Sequence, residues 1–420
     1  MSHEYSQLPI RLDADSEAAL IQALEAFSGE DESTRVEQLA VGQNRLPVLI
    51  NAFWTAKQRA GHSLHEISYR ACFKPQLPSF FIDRLTAPGD CVLDPFMGRG
   101  TTVLESVLRG RHAIGCDLNP LSRWLVAPRL NPPDQDAVVE RLDSLELDWS
   151  GALDDDLRVF YEEKTLRCLM GLRAYLLKRG TKADPVDGWI RMVATNRLAG
   201  HSPGFFSVYT LPPNQAVTPK RQRIINEKRK QTPTFRDVKA LIARKSQSLL
   251  SGVSAADRQY FARYGTQARL LTASADDLKG IKPESVALVV TSPPFLDTVD
   301  YATDNWLRAW FNGIDVEELK LWGFRRLSDW EAAMSRAFKA QAKVLRPGGW
   351  VAFEVGEVRK GKVRLEEYVI PAAEKAGLYP VAVLINQQQF TKTANCWGVD
   401  NQTKGTNTNR IILLRKPLGS

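Results

Sequence analysis

Cysteine is scarce in this sequence: five residues in 420, at positions 72, 91, 116, 168 and 396. No two of them stand in a Cys-x-x-Cys spacing, so neither a zinc site nor a disulfide framework is expected. The five histidines are equally dispersed, and no metal site is predicted from them. No apolar run approaches the roughly 18 residues needed to cross a bilayer. The opening stretch MSHEYSQLPIRLDADSEAAL also lacks the charged-then-apolar order of a signal peptide. The expectation is a protein without membrane contact, in the cytoplasm and associated with the nucleoid. There is no internal repeat, no low-complexity tract and no GxxxxGK[ST] phosphate loop. The glycine turn that is present lacks the third glycine of GxGxxG, which argues against a nicotinamide dinucleotide.

Composition is otherwise that of a globular chain, 44% hydrophobic and 25% charged, long enough for two domains or one domain with an insertion. Residues 15–60 read as amphipathic helices, and "QLPSFFIDRL" (76–85) as a further helix. "CVLDPF" (91–96) is a short buried strand that breaks into the glycine turn "MGRGTT" (97–102). "TTVLESVLRG" has helical spacing, and "HAIGCDLNP" (112–120) is a second buried strand. Strand, glycine turn, helix and strand in about 30 residues make a βαβ unit. From about 130 to 265 the pattern becomes helical. Strand and helix alternation then resumes through "SVALVVTSPPF" (285–295), "PGGWVAFEVG" (347–356), "YPVAVLINQ" (379–387) and "RIILLRK" (410–416). This order predicts an α/β, doubly wound, Rossmann-like sheet interrupted by a mainly helical insertion.

Two motifs carry chemistry. In "DPFMGRGTT", Gly98 and Gly100 let the backbone turn tightly and approach a ligand. Asp117, 17 residues past Gly100, stands near the spacing at which a strand-end carboxylate grips ribose hydroxyls. In "TSPPF", Pro293 and Pro294 fix the chain at a strand exit, and the residue before a proline is held extended. The result is a stiff hook carrying the Ser292 hydroxyl, backbone carbonyls and the Phe295 ring.

Together, "VLDPFMGRGTT" and "TSPPF" resemble the cofactor and catalytic motifs of the amino-methyltransferases of DNA. "RACFKPQLPSFFIDRL" (70–85) is similar to the helix that precedes the cofactor strand in that family. "VLRPGGWVAFEVG" (344–356) is similar to a later strand entry of class I methyltransferases. The resemblance covers roughly 62–120 and 268–416, and its motif order is that of the alpha class. It implies S-adenosyl-L-methionine as cofactor, bound by Phe73, Asp94, Pro95, Phe96, Gly98, Gly100, Thr101, Thr102 and Asp117. Asp276 would stand in for the acid that contacts the cofactor's adenine. Ser292, Pro293, Pro294 and Phe295 would be catalytic, with the base flipped out of duplex DNA and stacked on Phe295. Ser-Pro-Pro favours cytosine N4 by the family's habit, with adenine N6 the alternative; an RNA amino-methyltransferase and an inactive DNA-binding regulator rank lower. Methylation at cytosine C5 is disfavoured, because it uses a thiolate in a Pro-Cys pair and no cysteine here follows a proline. A cognate restriction enzyme is an implied partner.

The net charge of +8 is unevenly placed: ten Lys/Arg against two acids lie between Asn214 and Leu250. Lys220, Arg221 and Arg223 are therefore candidate phosphate contacts. Arg197 and His201, in the loop "TNRLAGHSPGFFSVYTLPPNQ" (195–215), and Asp297 and Tyr301, just past the hook, are candidate substrate contacts. The expected division is an N-terminal helical segment (1–60), a cofactor half (61–120), a helical, basic target-recognition insertion (121–265) and a catalytic half (266–420).

Overall fold

The computed structural model describes residues 17–28, 33–54, 61–70, 72–213, 216–294, 296, 301–356, 363–387 and 409–419, with Thr181 and Tyr301 described by backbone alone. A nine-stranded sheet runs through it. Its strands are β1 (Arg35–Val41), β2 (Asn44–Asn51), β3 (Cys91–Asp94), β4 (His112–Asp117), β5 (Arg269–Thr272), β6 (Val286–Thr291), β7 (Leu345–Val355), β8 (Tyr379–Asn386) and β9 (Asn409–Arg415). Their spatial order is β1-β2-β8-β9-β7-β6-β3-β4-β5. Only β1 and β9 run antiparallel to their neighbours. The sheet is thus a doubly wound, mostly parallel α/β sheet with helices on both faces.

Alternation along the central strands divides the core. Leu288, Val290, Trp350, Ala352, Leu384 and Leu413 face helices Glu17–Glu25 and Gln76–Leu85, which bring Leu20, Phe80 and Phe81. Their chain neighbours Val289, Val351, Phe353, Val383 and Leu414 face helices Leu327–Val344 and Glu366–Glu374. Side chains of period two filling both faces are what a buried, mostly parallel sheet requires.

Between β4 and β5 the described chain forms only helices, turns and an isolated bridge, including Glu163–Arg179, Pro185–Thr195, Pro219–Arg229 and Val238–Leu250. Their apolar stripes share a core with helix Thr101–Leu108 and helix Tyr301–Asn312, around Trp189, Phe160, Phe206 and Phe311. No helix among the described residues is long and apolar enough to cross a membrane.

The helical reading of residues 15–60 needs correction. Among the described residues of that stretch one helix, Glu17–Glu25, is present, and 35–51 form the hairpin β1–β2. Gly42, at φ 59°, opens a two-residue turn between Val41 and Asn44, the positive-φ geometry that matches strand twist. β2 then pairs in parallel with β8, Val48 opposite Val383, so long-range pairing outweighs local helical spacing.

Candidate active site

Strand order reverses between β3 and β6, whose neighbours continue outward in opposite directions. A crevice opens outside the carboxyl ends at such a point. The glycine turn leaves β3 there, and the Ser-Pro-Pro hook leaves β6 beside it.

The turn is held from several sides. Gly98 and Gly100 adopt φ of 49° and 74°. A Cβ on Gly100 would come within 2.4 Å of Val126, so close packing as well as φ demands glycine there. Asp117, at the end of β4, accepts the Gly98 N–H and the Asn119 N–H, both at 2.8 Å. Burial pushes its carboxyl above the ordinary aspartate range against these bonds. Asp94 is buried at the end of β3 and accepts the Thr291 hydroxyl at 2.6 Å and the Phe96 N–H at 3.1 Å. Burial still pushes its carboxyl up to about 7. Thr102 donates to the Val290 carbonyl at 3.1 Å, which ties the helix after the turn to β6.

Arg99 points away from the crevice. Its guanidinium is buried and donates to the carbonyls of Ile67 (3.0 Å) and Phe73 (3.2 Å). It therefore fastens the chain at Ile67 and at Phe73, next to the wall residues Tyr69 and Phe73. At the hook, the Pro294 carbonyl accepts the indole N–H of Trp330 at 2.9 Å, so the chain is pinned just past Ser292.

The crevice opens to solvent. Of the expected cofactor residues, Phe73, Asp94, Pro95, Phe96, Gly98, Thr101 and Asp117 line it, as do Ser292 and Pro294 of the hook. Gly100 and Thr102 are buried behind it, and Pro293 is buried as well. Asp276 does not line it: its carboxylate bonds Arg336 at 2.9 Å, and its neighbour Ala275 takes the wall position. The ion pair with helix Leu327–Val344 draws the acid aside. Phe295 and Asp297 lie outside the described residues, and Tyr301 is described only as the first residue of its helix.

None of the other expected DNA contacts lines the crevice. Arg197 is turned inward: its guanidinium lies 4.1 Å from the Phe205 ring centre, and burial lowers its pKa to about 10. That packing disfavours a free phosphate contact. His201 is exposed, 6.4 Å from the same ring. Lys220, Arg221 and Arg223 lie exposed on helix Pro219–Arg229, with Arg223 paired to Asp156 at 2.5 Å.

Sequence reasoning missed three contributors. Asn119 lines the crevice while capping helix Pro120–Val126; an Asn-Pro pair beginning two residues past a strand-end acid was the available signal. Trp322 forms a wall, its ring 5.6 Å from Phe96. Glu354, on β7, is buried one position past the Thr291–Phe353 pair, beside Ser292, and burial raises its carboxyl to about 7 against the lowering effect of that serine.

Residues 19–121 match a family model described as DNA methylase, of the N6/N4 methyltransferase kind. Among curated proteins, the type II methyltransferase M.MjaII of Methanocaldococcus jannaschii is 33% identical over 87 residues, 21% of this chain and 15% of that protein. M.XycI of Xanthomonas campestris is 39% identical over 66 residues, 16% of this chain and 22% of its own. Among solved structures, the rRNA methyltransferase aviRa of Streptomyces viridochromogenes covers 87% of this chain and 94% of its own at 13% identity, with a TM-score of only 0.32. The chain spans about a quarter or less of the length of the curated relatives it matches. It is the segment leading into and carrying the glycine turn that is similar to the N6/N4 DNA methylases.

Proposed function

We propose that the protein transfers a methyl group from S-adenosyl-L-methionine to an exocyclic amine of a DNA base, cytosine N4 first and adenine N6 as the alternative. One observation carries the reading: Ser292 and Pro294 share a single crevice with Asp94, Gly98 and Asp117. A cofactor grip and a rigid amine acceptor are thereby side by side.

The residues fit the adenosyl group chemically. Gly98 presents backbone without a side chain, Asp117 supplies a carboxylate for ribose hydroxyls, and Phe73, Phe96 and Trp322 supply flat apolar walls. When bound, the cofactor supplies a sulfonium methyl as electrophile. The amine is a weak nucleophile because its lone pair is delocalised into the ring. Ser292 Oγ, and beside it the Pro293 carbonyl, accept hydrogen bonds from the amine and favour a more tetrahedral nitrogen aimed at the methyl. Proline stiffness and the Trp330 bond keep these acceptors fixed, and such preorganisation lowers the barrier. Phe295 gives the flipped base a stacking face.

The Ser-Pro-Pro form of the hook supports cytosine N4. The exposed basic helix Pro219–Arg229 supports a nucleic-acid substrate, with the helical region 121–265 as the target-recognition part. Ser292→Ala tests the proposal. Single-turnover transfer to duplex DNA should slow about 10²–10³-fold while cofactor and DNA affinities hold. An unchanged rate would refute the catalytic reading of the hook. Nucleoside mass spectrometry of DNA exposed to the enzyme then separates N4-methylcytosine from N6-methyladenine.

A further inference from the structure

Glu354 is an acid where the sheet offers it little. It is the penultimate residue of β7, a strand whose inner residues are otherwise apolar, and it is 7% exposed. The register explains whom it meets. Val290 pairs with Ala352 and Thr291 with Phe353, so Ser292 and Glu354 come next, on the sheet face of Val290 and Ala352. Their side chains therefore stand side by side at the ends of the two strands. Among the described residues no cation pairs with Glu354. The charged groups on adjoining elements are engaged elsewhere: Arg410 of β9 with Glu366, Glu17 with Arg415, and Asp94 of β3 with Thr291. A buried acid with no cation beside it, set next to the hook's hydroxyl, is an expensive arrangement unless the two groups are used together.

We propose that Glu354 is the positioning residue of the hook: its carboxylate takes the Ser292 hydroxyl hydrogen, leaves the serine oxygen's lone pairs for the base amine, and receives the proton released by methyl transfer. The inference rests on the reading of Ser292 given above. In the step, the amine lone pair forms the N–C bond and the S–C electron pair stays on sulfur. The methylated nitrogen passes one proton to Ser292 Oγ, while the serine's own proton passes to Glu354. The protonated acid later exchanges with water, so no further reactant is needed. A carboxyl raised to about 7 by burial is matched to taking up a proton near neutral pH.

Two measurements test this. The first needs no turnover: the Glu354 carboxyl is titrated by carbon-13 NMR, its signal assigned with Glu354→Gln. Ser292→Ala should raise that titration further, because a bond favouring the charged form is lost; an unmoved titration overturns the contact. In single-turnover kinetics, Glu354→Gln should slow transfer about 10²-fold, the low end for a positioned proton acceptor. Cofactor affinity should hold, and Glu354→Asp should recover part of the rate. The limb of the pH–rate profile that rises near neutrality should vanish in Glu354→Gln, whereas a limb due to Asp94 would remain. The double variant Ser292→Ala/Glu354→Gln should be no slower than Ser292→Ala alone. A slow Ser292→Ala with a wild-type-rate Glu354→Gln, or strictly additive losses, overturns the role of Glu354 and leaves the hook intact. A wild-type-rate Ser292→Ala overturns the hook itself. Should Glu354→Gln fail to fold, the Ser292→Ala titration and Glu354→Asp still decide.

Discussion

Thr291 donates its hydroxyl to Asp94 at 2.6 Å across 197 residues of chain. The last residues of β3 and β6 are thus bonded just beneath the crevice, and the glycine turn and the Ser-Pro-Pro hook share a mount. Thr291→Val keeps the shape and removes the donor. It should cost about 1–3 kcal/mol and lift the Asp94 carboxyl above its present value. Asp94 titrates higher folded than unfolded, so its contribution to stability is full at acid pH and is lost as pH rises through about 7. The penalty of Thr291→Val should therefore be larger at pH 8 than at pH 5. Urea denaturation at the two pH values checks this, and an equal loss at both would mean that the bond does not serve the charged form.

Gly100→Ala should destabilise by more than the roughly 1–2 kcal/mol of a left-handed backbone alone, because the new Cβ also meets Val126 at 2.4 Å. Adding Val126→Ala should return the steric part and leave the backbone part. Thermal unfolding of the single and double variants separates them; no recovery in the double would place the strain elsewhere.

Asp117→Asn should weaken S-adenosyl-L-methionine binding by roughly 1.5–3 kcal/mol, the worth of a bond to a charged acceptor, measured by titration calorimetry. Asp117→Ala should do the same and also lower stability, since Gly98 and Asn119 lose their acceptor. Unchanged affinity in folded Asp117→Asn would move the ribose contact to another wall residue.

Replacing Lys220 and Arg221 with alanine should flatten the salt dependence of DNA binding by about 0.9 per lost phosphate contact. Arg223→Ala should matter less, because Asp156 already pairs with that guanidinium. Equal slopes for wild type and the Lys220/Arg221 variant would make the helix an ordinary solvated face.

His65 is buried against Glu105, 2.5 Å from its carboxylate. Burial holds the imidazole down at about 4, and Arg109, with His65 and Ser79, holds Glu105 below its usual range despite burial. Both folded pKa values lie below the unfolded ones, so this pair stabilises fully above about pH 6.5 and loses that contribution as pH falls through about 4 and lower. His65→Gln should flatten the acid side of a melting-temperature profile; an unchanged acid side would argue against it.

The parts of the site that sequence reveals are those whose chemistry is local. A glycine turn after an apolar strand, an acid at the next strand end and two prolines at a strand exit each announce a backbone shape. Contributors set by pairing between distant segments are hidden. Glu354 reaches Ser292 only through strand register, and Trp322 reaches Phe96 from the loop before helix Leu327–Val344. The partners of Asp276 and Arg197 are hidden for the same reason, since Arg336 and Phe205 meet them only in the folded chain. The hairpin 35–51 carried a local clue in Gly42, but its pairing with β8 is non-local. A lone acid in the apolar run "VAFEVG" was the one visible sign of Glu354.

The sheet is also assembled out of chain order. The central pair β3–β6 sets Val92 beside Leu288, and the hairpin at the start of the chain finds its partner only when Val383 arrives beside Val48. During synthesis β3 and β4 leave the ribosome with an open, apolar edge that is filled only after the helical region has been made. That region, being helical, is expected to gain structure ahead of the sheet, whose loop-closure entropy is met late. The vulnerable interval therefore falls between the two motifs. Truncation before β8 should strand the N-terminal hairpin without its neighbour, and slow refolding should track pairing of the central strands rather than helix formation.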